Sequence, residues 1–215
     1  MSGLTANDFL YLLKGAVQTI ELAAASIALS AAIGLIAALL QIFGNALVRA
    51  VLLAYTFFNR GVPLLVLLFT MYFVLPYAGV DLPPFVGGVL VIAIYFGAFM
   101  SEVFRAAIVA VPRGQWDAAR GLGMRRPLML RLVIFPQALR LALPPFLNTC
   151  MVVIKSTSLV SIIGIWELTL AGREVAERTS AAFQAFAGVG LIYFVLCSLL
   201  SFGSQHLGER MRYGR

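Results

Sequence analysis

Residues 22–48 contain no charged side chain. So long an apolar stretch has few folds open to it. About 20 such residues cross a 30 Å hydrocarbon core as a helix, and a lone extended segment could not satisfy its backbone there. Comparable stretches recur, giving expected spans at about 16–42, 50–76, 85–110, 141–165 and 181–207. The second is interrupted by Asn59, Arg60 and Gly61, and the third holds Glu102 and Arg105 in its last part. Little chain is left between the spans, so the expectation is one transmembrane domain over residues 1–215, all-α, with five membrane-spanning helices.

Charged residues make up 12% of the chain, against about 25% in a soluble domain. The excess of 16 Lys and Arg over 9 Asp and Glu is then a topology signal, and no nucleic-acid partner is expected. Cys150 and Cys197 sit inside apolar runs, as buried small hydrophobes would, and no metal site is expected. The opening MSGLTANDFLYLLKG lacks the basic start and cleavage site of a secretory signal, so the first span is expected to be retained. His206, at the end of the fifth span, reads as an interface residue, as do Glu21 and Glu167.

Short connections rich in Lys and Arg stay in the cytoplasm. Arg49, the arginines at 113, 120, 125, 126, 131 and 140, and those of the tail at 210, 212 and 215 all fall on one side of a five-span arrangement. Lys14, Arg173 and Arg178 fall on the other, the last two among glutamates. The prediction is an N-terminus outside and a C-terminus in the cytoplasm.

The connection at 111–140 is long for a bundle, and long ordered connections tend to be functional. Pro112 and Gly114 stop the third span. The run QWDAARGLGM suits a short helix with Asp117 in its first turn, where the helix dipole favours an acid. Pro127 can open a second short helix, PLMLRLVIF, ending near Pro136. Ala118 and Ala119 offer a close-approach surface, and Gly121 and Gly123 permit a sharp exit. Composition alone supports either of two roles: docking into another protein's groove, or lying on anionic headgroups.

The spacing Asp117, Ala118, Ala119, then Gly123, then Val133, Ile134, Phe135 and Pro136 resembles the EAA loop of ABC importer permeases, with Asp117 for the usual Glu, Val133 for Ile and Phe135 for Leu. RGVPLLVLLF (60–69), GAFMSEVFRAAIVAVPRGQWDAARGLGM (97–124), PQALRLALPPFLN (136–148), KSTSLVSIIGIWELTLAG (155–172) and LIYFVLCSLLS (191–201) are similar to the polar amino-acid uptake group, the histidine, glutamine, arginine and opine permeases. The resemblance implies a type I ABC importer (MetI-like) permease in the bacterial inner membrane, with five spans and a cytoplasmic helical coupling loop. It further implies an ATPase dimer that binds ATP and magnesium on its own chains, a second permease subunit, similar or identical, and an extracytoplasmic amino-acid-binding protein. Asp117, Ala118, Ala119, Gly121, Gly123 and Pro136 would then be the ATPase-coupling residues.

An ionisable group at membrane depth costs at least about 2.5–3.5 kcal/mol, so it faces protein or water. Lys155 lies ten residues beyond Pro145, about 15 Å along a helix and close to mid-bilayer. With Ser156, Thr157 and Ser158 it could line a polar path or unwind the helix; alternatively, Lys155 neutralises a carboxylate while the hydroxyls bond their own backbone. Glu102 and Arg105 are spaced for a local ion pair, or for the same path. Arg60 beside Gly61 and Pro63 either snorkels or pairs, or marks a helix break that exposes backbone to solute.

Two other functions fit less well. A membrane enzyme needs a nucleophile with its base, or clustered metal ligands, and one histidine with scattered acids supplies neither, so no catalytic residue is expected. A secondary transporter would often show paired halves, and none is visible. Nor can the chain carry a P-loop, because Thr149 and Ile154 occupy the glycine positions before Lys155 and Ser156.

Overall fold

The structure, a computed structural model, describes residues 4–212, with side chains described through 203. His206 and the tail arginines therefore lie outside the described side chains. The described residues are helical apart from short connections, with no strand among them.

Helix α1 (Ala6–Phe43) starts ten residues before the expected first span. Thr5 caps it: its hydroxyl accepts from the Asp8 N–H while the Asp8 carboxylate accepts from the Thr5 N–H, so two otherwise orphaned donors are satisfied. The extra turns carry charge yet are not a loop, because Asp8 is buried against Thr5 and Arg178. Gly44 ends α1 and the Asn45 side chain caps α2 (Ala46–Gly61).

The expected second span at 50–76 is not one straight helix. α2 and the run Leu64–Ala78, which opens as α3 (Leu64–Phe69), meet at 101°. Pro63 cannot donate to the helix ladder and forces the residue before it out of helical conformation, and Val62 is extended accordingly. α3 continues through a wide π turn, Thr70–Val74, and a tight turn, Leu75–Ala78.

α4 (Pro84–Val109) matches the third span. α5 (Arg113–Gly121) follows, and then α6 (Arg126–Met129). The second loop helix does not end near Pro136. A π turn, Leu130–Ile134, carries α6 directly into α7 (Phe135–Ser156), so the fourth span belongs to a helical run Arg126–Ile163. Pro136 falls in the first turn of α7, where a missing N–H costs least. The run tightens to a 3₁₀ stretch, Thr157–Ile163, and ends at Gly164 with φ +80°. The charged segment expected to separate spans four and five is another helix, α8 (Leu168–Thr179), leading into α9 (Ala182–Arg212).

Three apolar clusters follow one another along α1. Leu12 and Ala16 pack with Val175 of α8 and Ala185 of α9. Leu22 joins Leu68, Phe96 and Val153 in the middle. Leu39 and Ile42 border a third cluster in which the end of α4, α5 and the start of α7 meet. α1 and α4 form the largest helix–helix interface; α1 buries Ser26, Ser30, Gly34 and Ala38 at four-residue spacing, and Gly34 meets the Met100 backbone of α4. Apolar side chains gain nothing against each other over lipid tails, so close backbone approach supplies the attraction. A Cβ on Gly34 would lie 2.6 Å from the Met100 Cβ and 2.9 Å from its carbonyl carbon. Gly34→Leu is therefore expected to destabilise the chain by more than the usual overpacking cost of about 1–3 kcal/mol, since backbone must move. Gly190→Leu, at a position with open space, is the control. Size-exclusion profiles in detergent should show loss of the folded peak for the first variant only; two equal profiles would contradict this packing.

Candidate functional site

A cleft of about 810 Å³ lies between the end of α2 and the last turns of α4. Arg60, Thr56 and Phe57 line one wall; Glu102 and Arg105 line the other. Tyr55 holds the two helices at this distance by donating its hydroxyl to the Ile94 carbonyl at 2.5 Å, and Gly97 makes the room, since a Cβ there would lie 2.9 Å from that hydroxyl. Arg105 forks onto Glu102, with Nη2 to Oε2 at 2.7 Å and Nε to Oε1 at 3.3 Å. The local ion pair expected from their spacing is present. Arg60 is exposed, its guanidinium carbon 6.0 Å from the centre of the Phe99 ring. Among the described residues no carboxylate pairs with it. With one acid balancing one arginine, the cleft keeps an uncompensated positive charge at the helix break.

Lys155 is not part of this cleft. It is exposed in a separate groove between α7 and α9, beside Met151, Tyr193, Phe194 and Ser198. No carboxylate among the described residues lies within ion-pair distance, so the expected alternative in which Lys155 neutralises an acid finds no acid here. Thr157 donates to the Ile154 carbonyl at 2.6 Å and Ser158 to the Lys155 carbonyl at 2.7 Å. These hydroxyls satisfy their own backbone as the chain tightens into its 3₁₀ stretch; Thr157 is buried, and Ser156 and Ser158 are half-buried.

At the other end of the bundle α5 is held on one face and free on the other. Ala119 is buried and Trp116 half-buried in the cluster with Ile108 and Ile134, and Gln137 of α7 donates to Gln115 at 3.2 Å. Ala118, Gly121 and Leu122 are exposed, and Pro136 is exposed on α7. α5 starts at Arg113, so Asp117 falls in the second turn and not the first; it pairs at 3.4 Å with Arg120 on the surface, where such a pair contributes little. The helix closes with paired hydrogen bonds, Gly123 N–H to Arg120 O and Met124 N–H to Ala119 O, around Gly123 at φ +69°. Glycine is needed there for its conformation, not for space, because nothing lies within 4 Å of its Cβ position.

Sequence reasoning missed Glu167. Expected at the interface, it is fully buried. Its carboxylate caps α8 by accepting from Leu170 N–H at 2.9 Å, and accepts from Tyr193 of α9 at 2.8 Å and Thr19 of α1 at 3.2 Å. Thr19 in turn accepts from Leu168 N–H at 3.1 Å. The signal present was for α8 and not for this residue: Arg173, Glu174, Glu177 and Arg178 fall on one helical face and Leu168, Ala171, Val175 and Ala176 on the buried one, but the same wheel sets Glu167 among the charged residues.

Residues 30–213 match the profile of the binding-protein-dependent transport system inner membrane components. The chain belongs to that family. Such a permease is also similar to the glutamine transport system permease protein GlnP of Escherichia coli strain K12, 35% identical over 203 residues covering 94% of this chain and 93% of that one. Among solved structures it is similar to a chain in the crystal structure of an amino acid ABC transporter with histidines, with TM-score 0.87, 32% identity, and 93% and 94% of the two chains covered. A chain of the inward-facing MetNI methionine ABC transporter, 16% identical with TM-score 0.78 over 96% and 99% of the chains, shares the fold. The permease has the type I ABC importer fold, and α5 occupies the loop at 111–140.

Proposed function

We propose that this permease is the membrane subunit of an ATP-driven importer of a polar amino acid, working with a separate cytoplasmic ATPase dimer, a second permease and an extracytoplasmic binding protein. The observation that carries it is α5: a short helix anchored by Ala119 and Trp116, closed by Gly123, and free on its Ala118 and Gly121 face. A helix lying on headgroups would turn its apolar side to lipid, whereas here Ala119 and Trp116 pack on the chain itself. The outward side sets the small Ala118 and Gly121 among exposed Asp117, Arg120 and Leu122, a mixed face that suits a protein cleft. The chain holds no cofactor in this reading; ATP and magnesium stay with the ATPase, and closure of that dimer moves α5 and, through the turn at Gly123, the run from α6 into α7.

The solute path runs past Arg60, Glu102 and Arg105, whose charges suit a zwitterion carrying a carboxylate and an ammonium. Lys155 contributes from its own groove, while Thr157 and Ser158, bonded to their own backbone, shape the 3₁₀ stretch that follows Ser156. The permease sits in the bacterial inner membrane, in contact with its lipids, with its N-terminus outside and α5 in the cytoplasm, in keeping with the arginines at 113, 120, 125, 126, 131 and 140. Similarity to a glutamine permease and to an amino acid transporter solved with histidines supports the solute class.

The test is a cysteine placed at Ala118 in the permease co-expressed with its ATPase. Crosslinking to the ATPase is expected from position 118 and not from buried position 119. Normal uptake with no crosslink from any exposed α5 position would overturn the coupling role.

A further inference from the structure

The groove of about 660 Å³ between α1, α4 and α7 is separate from the polar cleft, although Pro136 of the coupling loop is among its lining residues. Its walls are apolar, among them Ala32 and Leu35 of α1, Phe104 of α4 and Leu139 of α7, and a single ionisable side chain lines it, Arg131. Arg131 stands in the π turn Leu130–Ile134, at the α5 end of the groove. It is exposed, and among the described residues no carboxylate lies within ion-pair distance of it. At 100° per residue, Phe104 and Ala107 fall on the side of α4 away from Glu102 and Arg105, so the groove opens on a different side of the helix from the polar cleft.

We propose that this groove binds one anionic phospholipid from the leaflet on the α5 side, its phosphate on Arg131 and an acyl chain along Ala32, Phe104 and Leu139. The argument is complementarity at both ends. A lone guanidinium at the polar edge of an apolar trough matches a molecule with a net anionic head and a hydrocarbon tail better than a free phosphate, which would leave the trough empty, or a zwitterionic lipid, whose own ammonium offsets its phosphate and adds a second cation beside Arg131. Small side chains such as Ala31, Ala32 and Ala138 make the trough rather than filling it. The inference depends on the helices crossing a bilayer, not on the solute path or the ATPase.

The full-length permease is purified in mild detergent and titrated with dioleoyl phosphatidylglycerol or dioleoyl phosphatidylcholine, and bound lipid is read by native mass spectrometry. One phosphatidylglycerol per chain is expected to survive at collision energies that strip phosphatidylcholine. Arg131→Gln should weaken its retention about fivefold, the weight of one arginine at an anionic lipid surface, and Arg131→Lys should keep most of it. Ala32→Phe should block it by filling the trough. Arg140→Gln, an arginine outside the groove, should change nothing, and excess inorganic phosphate should not displace the lipid. Equal losses from Arg140→Gln and Arg131→Gln would mean a diffuse charge effect and overturn the site, as would displacement by phosphate. Dissociation of a permease oligomer by Ala32→Phe, with phosphatidylglycerol retention unchanged in Arg131→Gln, would assign the groove to a second copy of the chain and equally overturn it.

Discussion

Replacing Glu167 with alanine is expected to abolish recovery of the folded permease. The carboxylate is fully buried and accepts hydrogen bonds from three helices' worth of donors: Thr19 on α1, the Leu170 N–H on α8 and Tyr193 on α9. Alanine leaves the Thr19 hydroxyl and the Leu170 N–H, whose bond is the cap of α8, buried without this acceptor, each costing about 1–3 kcal/mol, while the half-buried Tyr193 hydroxyl keeps Thr169 as a partner. Set against a typical total stability of about 5–15 kcal/mol, losses of this size approach unfolding. Glu167→Gln keeps the side chain's length and one carbonyl acceptor, and the hydroxyls of Thr19 and Tyr193 can rotate to accept from its amide. Thermal unfolding followed by size-exclusion should therefore rank wild type above Glu167→Gln, and both far above Glu167→Ala. An alanine variant as stable as the wild type would mean that the network does not hold these helices together.

That Glu167 was misread from sequence shows where periodicity stops being informative. The segment 167–178 contains five charged residues, and charge density reads as an aqueous connector until the residues are placed on a helical wheel. α1 was shortened for the same reason: Asp8, Lys14 and Glu21 mask a helix that begins at Ala6, although Thr5 and Asp8 stand at capping-box spacing. Apolar length, by contrast, located the helices long and apolar enough to cross a membrane, because desolvation of backbone favours helix there. The break near Gly61 and Pro63 was visible, but its 101° bend was not, since Pro63 dictates that the helix stops and packing decides where the chain goes next. Pro136 misled in the opposite direction. A proline in the first turn continues a helix as well as ending one, and only the π turn before it distinguishes the two.

For the polar groups, local spacing predicted local bonds and nothing further. Glu102 and Arg105 pair as three-residue spacing suggests, and the hydroxyls of Thr157 and Ser158 turn to their own backbone. Which of these groups share a cavity depends on helix placement. Arg60 joins Glu102, while Lys155 does not.

The second large effect concerns that charge arrangement. Glu102→Gln is expected to lower uptake by about tenfold or more, equivalent to about 1.4 kcal/mol, while leaving the permease folded. The substitution frees the Arg105 guanidinium, so the cleft changes from one uncompensated cation to two and loses its only acid. A zwitterion then meets repulsion at its ammonium where it met a carboxylate. Folding should survive because both side chains are partly exposed and such pairs contribute at most about 1 kcal/mol. Lys155→Met offers the comparison, removing a charge that no described acid balances, with folding intact and a change in rate or selectivity. Glu102→Gln with unchanged uptake and selectivity would remove the cleft from the solute path.

As proposed, this chain moves a polar amino acid only when an ATPase drives it through α5. The most direct test is uptake into proteoliposomes holding the purified permease with its co-purified ATPase and binding protein, with and without ATP, for the wild type and for Gly123→Val. Valine cannot easily adopt the left-handed conformation at Gly123, which costs a residue with a Cβ about 1–2 kcal/mol and a β-branched one more, so α5 should lose its closure while the spans remain folded. The expected result is ATP-dependent accumulation of a polar amino acid by the wild type, and in the variant ATP hydrolysis without accumulation. Accumulation by the wild-type permease with no ATPase present, or full ATP-driven uptake by Gly123→Val with α5 shown to be displaced, would contradict the account.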